Sequence, residues 1–153
     1  MFSKKTIKSV AVALACLSIG FAPFASNMRA EAKSSGALVW EHDVDKSKEQ
    51  SKKDNKCLLV DLYTDWCTYC KKMDKVTFTD PKLQEYLADH CICLKANAED
   101  KGAGQKLAES NGVTDFPSYL VFSPQGKLLG RIRGFRTADS FQKEVDGLLQ
   151  KSQ

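Results

Sequence analysis

"LLVDLYTDWCTYCKK", residues 58–72, decides the fold. An almost unbroken apolar run, starting at Cys57 and ending at Tyr63, holds a single acid, Asp61. Such a run fits a strand buried on both faces, as in a parallel or mixed sheet covered by helices. Trp66 and a C-x-x-C pair, Cys67 and Cys70, follow at once. A helix is predicted from that pair to about Thr77. Cys67 then falls at the helix N-terminus, where free backbone N–H groups and the helix dipole favour a thiolate. Cys70 sits one turn along the same face, close enough to bond. Cys67 reads as the exposed attacking thiol and Cys70 as the one that resolves the mixed disulfide.

Other uses of C-x-x-C fit less well. A zinc site would need a second Cys or His pair at matching spacing. The chain offers His42, His90 and Cys91-Ile92-Cys93, so no metal is expected. Haem attachment would need His at position 71, which is Lys. A purely structural disulfide closing so short a loop would stabilise little.

Outward from the motif, the pattern is that of one α/β domain with helices on both faces of a central sheet. Leu38–Trp40 reads as a small strand. Residues 43–55 are polar and Lys-rich, with a weak apolar pattern, and Asp43 or Asp45 could cap a surface helix there. Asp80 and Pro81 read as the N-cap and first residue of a helix that runs to about Asp89. Cys91–Ala96 is a second apolar strand, and Gly104–Ser110 a short helix ended by Asn111-Gly112. Ser118–Phe122 and Lys127–Arg133 are strands joined through a Pro124-Gln125-Gly126 turn. Thr137 caps a last helix whose apolar face carries Phe141, Val145, Leu148 and Leu149.

The N-terminus reads differently. Lys4, Lys5 and Lys8 precede an apolar run from about Val10 to Phe24, and Ala30-Glu31-Ala32 fits a small-residue cleavage site. The run is short for a span and contains Pro23, which favours cleavage over an anchor. Residues 1–32 are therefore expected to be a signal peptide, 33–37 a flexible leader and 38–153 the domain, in the periplasm or another extracytoplasmic space. Of 23 basic and 19 acidic residues, four and one lie in 1–32, leaving 19 against 18, a balance of +1. That balance gives no reason to expect a nucleic-acid partner. Five cysteines remain, an odd and small number for a disulfide scaffold. Cys57, Cys91 and Cys93 are read first as small buried hydrophobes. A second disulfide, Cys57 with Cys91 or Cys93, and a redox relay are the other options.

Three stretches now resemble the thioredoxin superfamily: "VDLYTDWCTYCK" (60–71), "DFPSYLVF" (115–122) and "SPQGKLLGRIRG" (123–134). The resemblance covers about residues 38–150 and implies a thioredoxin fold, a mixed sheet flanked by helices. It implies that Asp61 is the family's buried acid and Lys95 the lysine beside it. It implies a cis bond before Pro117, and a substrate-binding rim of Trp66, Thr68, Tyr69, Phe116 and Pro117. "DWCTYCKKM" with "FTDP" is similar to the C-terminal domains of DsbD-type membrane reductant carriers and to stand-alone exported DsbH-type proteins. Thr68-Tyr69 lacks the His of strongly oxidising relatives. The resemblance thus implies a reductase of protein disulfides, without a bound cofactor, recharged by a dithiol donor such as a DsbD-like carrier, and a monomer. An oxidase or isomerase on the same fold, or a chaperone-like binding module, are the rival readings.

Overall fold

A computed structural model describes residues 38–151; the predicted signal peptide and the leader lie outside them. Five strands and five helices follow in the order β1 (Trp40–Glu41), α1 (Val44–Asp54), β2 (Cys57–Tyr63), α2 (Thr68–Lys72), α3 (Pro81–His90), β3 (Cys91–Asn97), α4 (Ala103–Ser110), β4 (Ser118–Phe122), β5 (Leu128–Arg133) and α5 (Ala138–Gln150). The sheet order is β1-β3-β2-β4-β5. β1, β3 and β2 run parallel; β4 is antiparallel to β2, and β5 to β4. The α/β class read from the sequence holds, and β2 is the central strand.

Six of the seven β2 residues are buried. Alternation splits them between two cores. Cys57 and Leu59 pack beneath Met73, Phe78, Leu83, Leu87, Phe141 and Val145 on one face. Leu58, Val60 and Leu62 pack with Val44, Leu94, Ala108 and Leu120 on the other. Asp61 falls on the first face, at the end of β2 nearest the C-x-x-C.

Local signals set the element ends. The Asp43 carboxylate accepts from the N–H groups of Asp45 and Lys46, so the expected surface helix forms with Asp43 as its cap. Asp80 caps α3 by accepting from Leu83 N–H, with Pro81 at the first turn, and Thr137 caps α5. Two elements depart from their expected form by more than a one-residue shift at an end. β1 starts two residues later than expected and ends one later, because Trp40 and Glu41 are the residues that pair with Cys93 and Leu94. The helix after the C-x-x-C does reach Thr77, but Met73–Thr77 form a π turn, closed by Phe78 N–H to Met73 C=O at 2.9 Å. Such wide turns concentrate at functional sites.

Candidate active site

Cys67 is the N-cap of α2, and it is bonded to Cys70. The Cys70 N–H donates to Cys67 Sγ at 3.1 Å. This is the group that would hold negative charge on that sulfur once the bond is reduced. The expected exposure of Cys67 is not found. Cys67 is 3% exposed and Cys70 4%. The bonded Cys67 sulfur lies at the first helical turn, against the Cys70 amide.

What is exposed is the apolar rim. Trp66 and Tyr69 are 66% and 60% exposed, and Thr68 is exposed beside them. The Trp66 ring meets Phe116 edge-on at 6.1 Å between centroids. The Phe116–Pro117 bond is cis, and Pro117 is buried. Two aromatic side chains this open to water, next to a reactive sulfur, suit a surface that receives another chain.

Trp66 also carries a partner that no motif or spacing singles out. Its Nε1–H donates to both Glu99 carboxylate oxygens, at 3.1 and 3.0 Å. Glu99 lies in the β3–α4 loop. That loop turns tightly at Asp100, which accepts from Gly102 N–H. The loop also sits close over Gly104, where any Cβ would collide with the Asn97 carbonyl. Its signal, if any, was the run of short and polar residues after the strand, "NAED".

Asp61 is 1% exposed, the one fully buried carboxyl among the described residues. Burial, which disfavours the charged form, pushes its pKa up from 3.8 to about 7. Lys95, its partner in the β2–β3 register, stands 3.3 Å from Oδ2 and pulls the other way. Asp74, on the π turn, pushes up again, and it also pairs with Lys95. Asp61 and Lys95 are thus brought together as the sequence suggested, and Asp74 joins them. No strand alternation or regular helical period pointed to Asp74, because the π turn changes the register of that helix face. Asp61 Oδ1 has no hydrogen-bond partner, and neither do the buried hydroxyls of Thr64 and Tyr119.

The raised pKa has a consequence for stability. An acid with a higher pKa folded than unfolded binds a proton more tightly in the fold. Its contribution is therefore greatest below about pH 4 and is lost as pH rises toward about 7. A shift of this size corresponds to on the order of 4 kcal/mol. Asp61→Asn should raise stability above pH 7 by an amount of that order and flatten the fall between pH 4 and 7. Urea unfolding of the oxidised protein at several pH values measures both; an unchanged slope would mean that Asp61 ionises at little cost.

Cys57 and Cys91 are not free thiols. They form a second disulfide, with Cα atoms 4.5 Å apart. The reading of these two as small buried hydrophobes is corrected. The parallel register sets Cys57 directly beside Cys91 and places Cys93 beside Leu59, which selects the partner. Cys93 stays a buried free thiol, its pKa driven far up by burial. Each of the paired cysteines is the first residue of its strand, a signal already present in the sequence. Among the described residues no group of acids, Cys and His could hold a metal ion.

The profile of the thioredoxin-like domain family matches residues 44–148. The thiol:disulfide interchange protein DsbD of Photorhabdus laumondii is 38% identical over 97 residues, 61% of this chain and 17% of that protein. The chain thus spans about a sixth of the length of such relatives. Among solved structures, a DsbH oxidoreductase superposes with a TM-score of 0.64 at 23% identity, covering 75% of this chain and 86% of that one. The oxidised C-terminal domain of Neisseria meningitidis DsbD gives 0.58 at 21%, covering 71% and 98%. At these identities the two structures speak for the fold.

Proposed function

We propose that this chain, which belongs to the thioredoxin-like domain family, is an exported thiol–disulfide oxidoreductase that reduces disulfides in other proteins. The observation that carries it is the Cys67–Cys70 disulfide at the start of α2, with the Cys70 amide on the Cys67 sulfur. In the reduced protein the Cys67 thiolate attacks one sulfur of a substrate disulfide. A Cys67–substrate bond forms, and the other substrate sulfur leaves as a thiolate. Cys70 gives its proton to Asp61 and attacks Cys67 Sγ. The second substrate sulfur leaves, and the Cys67–Cys70 bond is restored. Two electrons pass to the substrate, and no bound cofactor is required.

A carboxyl with a pKa of about 7 suits that proton transfer, since it can accept and release near neutral pH. Lys95 holds one oxygen of Asp61 in place. Trp66, Thr68, Tyr69, Phe116 and Pro117 form the surface on which an extended substrate segment would lie. Recharging requires another dithiol. The likeness to a domain of DsbD supports a DsbD-like membrane carrier as that donor.

The second disulfide supports export, because such bonds persist in oxidising compartments. So does the stretch read as a signal peptide, with its basic start and A-x-A site. No helix among the described residues is long and apolar enough to cross a membrane. The periplasm is the compartment these features fit, and a monomer is the expected state. The test is insulin reduction with dithiothreitol as donor. The protein should accelerate it well beyond dithiothreitol alone; a rate equal to that background would remove the reductase reading.

A further inference from the structure

Three strands in register set Lys95, Asp61 and Tyr119 side by side across one face of the sheet. Asp61 is paired with Lys95 on β3 and with Tyr119 on β4. Tyr119 is completely buried, and its ring packs edge-on against Phe78 and Phe141, at 5.7 and 4.9 Å between centroids. Yet its hydroxyl has no partner, and neither does Oδ1 of Asp61. Two buried polar atoms left unpaired on adjacent strands are costly, and a bridging water is the usual remedy.

We propose that Tyr119 is a positioning residue for the Asp61 carboxyl, its hydroxyl reaching Oδ1 through one bridging water and following the proton state of the acid. The proposal rests on the reading of Asp61 as proton carrier for Cys70. Lys95 can only donate, so it favours the ionised acid alone. A phenol both donates and accepts. Through the water, Tyr119 donates a hydrogen bond toward the carboxylate and accepts one when the acid is protonated. Both oxygens of Asp61 are then held, Oδ2 by Lys95 and Oδ1 by Tyr119, through both halves of the cycle. The groups that face Asp61 are Lys95 and Cys93 from β3, Tyr119 from β4 and Asp74 from the π turn. In the oxidised protein the Cys67 and Cys70 sulfurs are bonded and do not titrate.

Tyr119→Phe tests this cleanly, since the ring and its two aromatic contacts remain. The readout is the 13C shift of the Asp61 carboxyl against pH in the oxidised protein. The expected wild-type midpoint is about 7. In Tyr119→Phe it should rise, by up to about one pH unit, because the hydrogen bond lost from the charged carboxylate is about twice as strong as the one lost from the neutral acid. A midpoint that stays in place or falls overturns the proposal. So does an Asp61 that shows no titration near neutral pH. A merely structural hydroxyl predicts something else: an unmoved midpoint and a higher melting temperature, because an unpaired buried group has been removed. Insulin reduction by the same two proteins separates the failures. Activity with an unmoved midpoint sinks the role of Tyr119 and leaves the reductase reading standing. A wild-type protein that reduces no insulin removes the premise, and the proposal falls with it.

Discussion

Cys67→Ser should abolish insulin reduction, taking the rate down by more than about 10³-fold to the level of dithiothreitol alone. A serine hydroxyl is not ionised near neutral pH, and the Cys70 amide cannot make it so. The fold should survive, because the Cys67–Cys70 bond closes only one helical turn. Cys70→Ala should fail differently. Cys67 can still attack, but nothing resolves the product, so a covalent Cys67–insulin adduct accumulates and shows by mass. A Cys67→Ser protein that keeps substantial turnover would move the chemistry elsewhere. A Cys70→Ala protein that forms the adduct on a different cysteine would do the same.

Removing the second disulfide should cost the fold heavily and the chemistry little. The Cys57–Cys91 bond joins the first residues of β2 and β3 across 34 positions. The segment it closes holds α2, the π turn and α3, so it ties down everything that carries the C-x-x-C. A loop of that length corresponds to about 4 kcal/mol of lost unfolded-chain entropy. Cys57→Ala with Cys91→Ala should therefore lower the melting temperature by roughly 10–20 °C. Both sulfurs are almost fully buried, so the two small gaps left behind add to the loss. At 25 °C the double variant should still reduce insulin, because the bond lies at the opposite end of β2 from Cys67. A change in stability under about 1 kcal/mol would mean that the β2–β3 ladder and its two cores already fix this edge without help.

Much of this architecture was readable because neighbouring residues set it. Caps at Asp43, Asp80 and Thr137, the Pro81 start and the apolar run of β2 are local signals, and each element formed where they stood. Asp61 was readable for the same reason: a lone acid between Val60 and Leu62 has nowhere to go but the core. Other features depend on how separate segments meet. The partner of Cys57 follows from the parallel register of β2 and β3, which no single stretch encodes. Asp74 reaches Lys95 from a π turn, and a regular helical period does not place it there. Tyr119 reads as one more strand aromatic until its register partner is known to be Asp61. Cys67 looked exposed because the motif says where the sulfur is along the chain, not that the closed disulfide is turned back under the amide of Cys70.

The direction of electron flow is the central claim, and the equilibrium potential of the Cys67–Cys70 pair tests it most directly. The protein would be equilibrated in mixtures of reduced and oxidised dithiothreitol. Free thiols would be trapped by alkylation, and the peptide holding Cys67 and Cys70 weighed, so that Cys57–Cys91 does not enter the reading. A value near or below about −230 mV, toward the thioredoxin end of the range, is expected of a protein that gives electrons to substrate disulfides. A value near about −120 mV would make it an oxidant, and the reductive reading would be wrong.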